Sequence, residues 1–285
     1  MSLAENVVLV RLKISDYRGT ITDYKTTEEI RAMKNAAHGA NRAVKYLLKD
    51  NDNFRECASA VRALRTYNEK VTIPWEDGGL RALPVEQYFD YGEKMRDLRS
   101  RFESAKNGFV ANLAALKEQD KARMGDLFDE ADYPTPEQLE EMYRIDMHMV
   151  PLQNLEDIRV RIPEEEKAKM QRDCEDLFDE KLRNASQHLW ERLYKAIKRM
   201  VENLEGNSRI YETMLGNITE LVNLLPTLNI GNDPELAYMA REIEERIVKR
   251  YTTEDIKSDA GTKGRAHEDA QELLDQIDSV IAGWS

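Results

Sequence analysis

Six basic side chains recur at helical spacing near the start of the chain. Arg31, Lys34, His38, Arg42, Lys45 and Lys49 are separated by 3, 4, 4, 3 and 4 residues. On an α-helix spanning 27–49 that spacing places all six on one face. Such a row can contact phosphate or an acidic partner, and it can equally be the solvated side of an amphipathic helix. From Arg31 to Lys70 nine bases face four acids, a local charge of +5. Two observations favour the solvated face. No aromatic residue interleaves with the row as a single-strand groove needs, and the whole chain carries −12, which disfavours sequence-blind nucleic-acid binding by its general surface. Nucleic-acid binding through the six cations stands as the alternative.

Other residue types give weaker signals. The four histidines, His38, His148, His188 and His267, have no paired or HExxH spacing, so structural roles are expected rather than metal ligation. Cys57 and Cys174 stand far apart and read as reduced thiols. Gly261-Thr-Lys-Gly-Arg265 lacks the spacer and the Lys-Ser/Thr ending of a phosphate loop. Between Glu118 and Asp146 ten acids outnumber three bases. A solvated acidic run does not set two carboxylates in different environments, as acid–base catalysis requires. The sequence therefore predicts a chain without catalytic residues, metal or cofactor.

The elements that must position these residues are mostly helical. Charged residues make up 34% and aromatics 7%, which suits long helices with apolar stripes. The reading is mainly α, with a long antiparallel helical hairpin, a small β element (strands near 7–14, 71–83 and 157–162) and a C-terminal helical pack. Three regions follow, 1–84, 85–206 and 207–285. Thr26 or Thr27 caps the first helix, and a second runs from about Phe54 to Glu69. Glu76-Asp-Gly-Gly79 between two apolar runs predicts a hairpin, and Pro74 confines the first run to an edge.

A long helix follows Pro84. Its stripe of Tyr88, Met95, Leu98, Phe102, Phe109, Leu113 and Leu116 is close to a heptad and implies a coiled-coil partner. The expected partner is a second long helix from Pro163 to Leu204. Its apolar period is nearer four residues, so one end of the first stripe, Phe109 and Leu113 or Tyr88 and Phe89, is expected to stay partly exposed and to support oligomer or partner contacts. Thr135-Pro-Glu-Gln138 restarts a short helix that continues to Pro151. Helices near 208–225, 234–251 and 265–282 close the chain, with 252–264 a disordered loop. Pro226 stops one helix, and Asp233 with Pro234 starts the next. Met1-Ser-Leu-Ala-Glu-Asn has no basic run before an apolar one, and no window is long enough to span a bilayer. The expectation is a cytoplasmic protein without membrane contact.

Arg209-Ile-Tyr-Glu-Thr-Met-Leu-Gly-Asn-Ile-Thr-Glu-Leu-Val-Asn-Leu-Leu-Pro-Thr-Leu-Asn-Ile-Gly-Asn-Asp-Pro-Glu-Leu236 resembles a family of uncharacterised helical proteins of tailed phages and mobile elements. Gly78-Gly-Leu-Arg-Ala-Leu-Pro84, Tyr133-Pro-Thr-Pro136 and Met149-Val-Pro151 carry the same resemblance. Genes of that family often accompany MoxR-type AAA+ ATPases and von Willebrand A-domain proteins. The resemblance implies a phage protein acting in the host cytoplasm beside such an ATPase, and carries over no site residue. Residues and resemblance together predict a non-enzymatic adaptor that binds a protein, or itself, through the helical hairpin.

Overall fold

The computed structural model describes residues 3–152, 163–205 and 212–284. In chain order the elements are α1 (Leu3–Asn6), β1 (Val7–Ser15), β2 (Thr20–Asp23), α2 (Tyr24–Lys34), β3 (Ala43–Tyr46), α3 (Asp52–Val71), β4 (Ile73–Glu76) and β5 (Leu80–Pro84). There follow α4 (Tyr88–Met124), α5 (Pro136–Met142), β6 (Arg144–Pro151), α6 (Glu164–Leu204), α7 (Thr213–Leu228), α8 (Pro234–Ile243), α9 (Thr253–Ser258) and α10 (Ala260–Ala282). The protein is mainly α with a small antiparallel sheet. The expected strand at 157–162 and the expected start near 208 of the following helix lie outside the described residues. The chain divides into two compact units, each assembled from separate segments. Unit 1 holds Met1–Arg11, Val71–Phe89 and His148–Ser285, and unit 2 holds Leu12–Lys70 and Asp90–Met147.

Unit 1 contains the predicted hairpin. Gly78 and Gly79 turn between β4 and β5 at φ of +82° and +87°, a conformation that glycine adopts without a Cβ penalty. The sheet order is β4-β5-β1-β6, which leaves the Pro74 strand at an edge, as its missing N–H requires. β1 pairs antiparallel with β5 from Val7 opposite Pro84 to Arg11 opposite Leu80. Trp75 meets Phe178 of α6 edge-on, ring centroids 5.8 Å apart.

The sequence pairs α6 with α4. In the structure α4 belongs to unit 2 from Asp90 onward, and α6 packs on α10 and α7. The reason is the strength of the C-terminal stripes. Leu189, Leu193, Ile197, Met200 and Leu204 of α6 share one buried core with Leu221 and Leu225 of α7 and Ala266, Ala270, Leu273 and Ile277 of α10. The segment 252–264 is not an open loop. Thr252 caps α9 by accepting from the Asp255 N–H, and Asp259 caps α10 through Gly261 and Thr262, so two helices nearly abut. Asp233 caps α8 as predicted, and its carboxylate also receives Ser186 at 2.5 Å and Trp190 Nε1 at 3.0 Å from α6. α7 runs on through Pro226 to Leu228.

Unit 2 is built around α4. Met95, Leu98, Phe102, Phe109, Leu113 and Leu116 of its stripe are all buried, and Tyr91, not named in the stripe, is buried with them. Of the two alternative ends named for exposure, Phe109 and Leu113 are buried, while Tyr88 and Phe89, which fall in unit 1, are 39% and 82% exposed. Tyr17, Phe54, Phe109, Tyr143 and Phe102 form a chain of ring contacts in the core, with centroids 5.9 to 6.3 Å apart. Thr135 and Gln138 form the capping box that starts α5. That helix stops at Met142 rather than Pro151. Arg144-Ile-Asp-Met-His-Met alternates polar and apolar residues, and β6 follows that period.

Candidate functional site

The first helix ends far earlier than the basic spacing suggests. Asp23, not a threonine, caps α2, accepting from Thr26 N at 3.0 Å and from the Thr26 hydroxyl at 2.7 Å. Asn35 takes the left-handed conformation at φ +49° and closes the helix. Gly39, at φ +84°, lies in the turn that follows. The Thr27 hydroxyl then receives the Ala43 N–H at 3.0 Å and ties down the returning strand. β3 pairs with β2 from Thr20 opposite Tyr46 to Asp23 opposite Ala43. The β-branched and aromatic residues Thr20, Ile21, Thr22, Val44 and Tyr46 suit that pairing, and it wins over continued helix.

The six cations therefore do not share one helix face. Arg31 stays on α2 and pairs with Glu28 one turn earlier. Lys34 is its exposed last residue, and His38 sits exposed in the turn. Arg42 donates to the Thr22 hydroxyl at 3.0 and 2.6 Å. Lys45 is drawn inward, 2.8 Å from Asp132 and 3.9 Å from Asp23. The Asp132 hydrogen bond holds its ammonium above the usual lysine range, against the opposing effect of burial. Lys49 lies over the Tyr46 ring, 4.9 Å from its centroid. An aromatic ring, Tyr46, thus does stand among these charges, as it does in the chain between Lys45 and Lys49.

The root of this β2-α2-β3 excursion is anchored firmly. Gly19 sits at φ +59°, where an added Cβ would lie 2.7 Å from the Leu47 carbonyl. The Leu47 N–H returns to the Gly19 carbonyl at 2.9 Å. Leu47 and Leu48 are buried at 2% and 1% exposure. Leu48 holds φ +57°, a conformation costing a branched residue about 1 to 2 kcal/mol. Asp120 of α4 offsets that strain. Its carboxylate, 6% exposed, accepts from Leu48 N at 2.7 Å, Arg123 Nε at 2.8 Å and Tyr133 OH at 3.1 Å. Burial alone would raise its pKa, but these three donors outweigh it and hold Asp120 below the usual carboxylate range. Arg123 also donates to the Tyr46 carbonyl at 2.6 Å. Beside the root a cleft of about 460 Å³ opens between Tyr17, Ile21, Asp132, Tyr133, Met142 and Arg144.

The tip has the opposite character. No residue of α2 is buried. Tyr24 is 77% exposed, Ile30 39%, Met33 79%, Val44 38% and Tyr46 54%. Ile30 and Met33, three apart, share one side of α2. Val44 and Tyr46 are opposite Thr22 and Thr20 and so share one face of the two-stranded sheet. The excursion is thus fixed at its base and carries apolar groups that its own unit leaves uncovered.

Asp120, Gly19 and Tyr133 were not singled out by sequence spacing. One signal existed. The α4 stripe runs through Leu113 and Leu116, and four residues on the next core-facing position is an aspartate. A charge at a core position announces a buried polar network. Among the described residues no group of three or more His, Cys, Asp or Glu is placed to hold a metal ion, and no helix is long and apolar enough to cross a membrane. No protein-family model, curated protein or solved structure matches the chain.

Proposed function

We propose that this is a non-enzymatic interaction protein whose β2-α2-β3 excursion docks a protein partner. The observation that carries the reading is the uncovered apolar set Tyr24, Ile30, Met33, Val44 and Tyr46 on an excursion locked at its root. Tyrosine, methionine and arginine are enriched at protein interfaces. Surfaces presented rigidly lose less conformational entropy on binding. The paired state of Arg31 and Lys45 leaves less free charge than the spacing implied, which moves the balance toward apolar contact. The sequence resemblance adds the biological frame, a phage-type adaptor in the host cytoplasm with an AAA+ ATPase as the partner to try first.

The test is a triple variant, Tyr24→Ser, Met33→Ser and Tyr46→Ser. The account expects unchanged melting and loss of at least tenfold in affinity for the ATPase or any other captured partner. Light scattering of wild type and variant separates a different partner from a second copy. Retained affinity in the folded variant contradicts the proposal.

One observation favours a second reading. Tyr46, exposed on the two-stranded sheet with Lys49 over its ring, and Arg42, bonded to Thr22 of the paired strand, give an aromatic–cation combination of the kind that stacks single-stranded bases. Filter binding at low and moderate salt decides it. This reading expects salt-sensitive binding of single-stranded nucleic acid that Arg42→Glu with Lys49→Glu abolishes.

A further inference from the structure

A recess of about 380 Å³ lies in unit 1 where the last turn of α7 faces α8. Its volume falls within the range of small-molecule sites, about 300 to 1,000 Å³. Val222 and Leu225 wall it from α7, Leu236 and Ala240 from α8, and all four are buried. The void exists because α8 presents Ala237 and Ala240, three residues apart on one face, where longer side chains would fill it. Neighbouring inward positions, Met239 and Ile243, are large and packed into the core.

The polar groups around the recess are unequal. Asn229 uses both ends of its amide on Asp233, donating to its carbonyl at 2.8 Å and accepting its N–H at 2.9 Å. Glu244 has its own counter-ion, Lys249 at 3.0 Å. Arg241 differs. Its Nε donates to the Ala237 carbonyl at 3.3 Å, and among the described residues its terminal amino groups meet no carboxylate. The lining thus combines an apolar interior with one guanidinium whose terminal amino groups are uncommitted among the described residues.

We infer that this recess binds a small carboxylate bearing a single hydrocarbon chain, the chain between α7 and α8 and the carboxylate on Arg241. A guanidinium pairs a carboxylate through two parallel N–H donors. Seating a hydrocarbon chain against the apolar walls removes both surfaces from water. The site is independent of the docking excursion, which belongs to unit 2.

Octanoate is the probe and 1-octanol its neutral control, each titrated into the full chain and read by methyl NMR and calorimetry. The inference expects shifts at the methyls of Val222, Leu225 and Leu236, with octanoate bound about tenfold more tightly than octanol. Arg241→Gln should remove that preference while leaving octanol binding unchanged. Ala240→Phe or Ala237→Leu, each checked for folding by circular dichroism, should fill the recess and abolish binding of both. Equal binding of the two probes, or octanoate binding unaltered by Arg241→Gln, overturns the carboxylate assignment. Absence of methyl shifts with either probe overturns the site. If neither filling variant folds, wild type and Arg241→Gln still decide the outcome, because Arg241 is an exposed side chain.

Discussion

Asp120 shows how one side chain can hold a functional element in place. It satisfies a strained backbone N–H, a guanidinium and a phenol at once, and removing it leaves three donors without their acceptor. Asp120→Ala should therefore destabilise unit 2 by about 3 kcal/mol in denaturant unfolding. The sign of its pH dependence follows from its depressed pKa. Its contribution is complete above the ordinary carboxylate value of 3.8 and is lost as pH falls through the lower folded value. The gap between wild type and variant should close in strong acid. His188 in unit 1 gives a milder window. Burial, then the charges of Arg192 and Arg81, push its pKa from 6.5 down to about 4. A histidine held neutral in this way stabilises fully above pH 6.5 and progressively less as pH falls toward 4. His188→Gln should flatten the melting temperature across that interval, and an unchanged slope would show that other groups produce it.

At the scale of elements, the excursion depends on Gly19. Gly19→Ala combines a positive φ with a 2.7 Å approach to the Leu47 carbonyl, so a loss of about 2 kcal/mol is expected in unit 2 unfolding. By contrast, Tyr24→Ser and Met33→Ser should change stability by less than about 0.5 kcal/mol, since neither side chain is buried. The sequence made much of this architecture legible where local chemistry and burial agree. Gly78-Gly79, the Thr135 capping box and Asp233 with Pro234 each act where their types predict. The stripes of α4 and α6 gave both long helices, but periodicity says which face is buried and not against what. Hence α10, rather than α4, is the partner of α6. The candidate site was legible only in part. The basic spacing fitted a helix to 49, yet Asn35, Gly39 and the pairing of Thr20–Asp23 with Ala43–Tyr46 turn the chain back as strand. Long-range pairing of two four-residue strands leaves no periodic trace. The aspartate at a core position of α4 did leave one.

For the molecule as a whole, the two units are separate cores with separate vulnerabilities. Leu189→Asp buries a carboxylate among α6, α7 and α10, whereas Phe102→Asp does so among the rings of unit 2. Each should cost several kcal/mol. Hydrogen exchange should rise first in α7 and α10 for Leu189→Asp, and in α4 and α5 for Phe102→Asp. A uniform rise throughout the chain in both variants would contradict the division into two cores. The functional account rests on one claim, that the tip of the β2-α2-β3 excursion is a contact surface. Photocrosslinking in cells that natively express the chain tests it most directly. A benzophenone amino acid is placed at Tyr24, Met33 or Tyr46, with exposed Glu202 on α6 as the control position. The account predicts one discrete protein adduct shared by the three excursion positions and absent at Glu202. Adducts absent from all three positions, or the same adducts at Glu202, would contradict it.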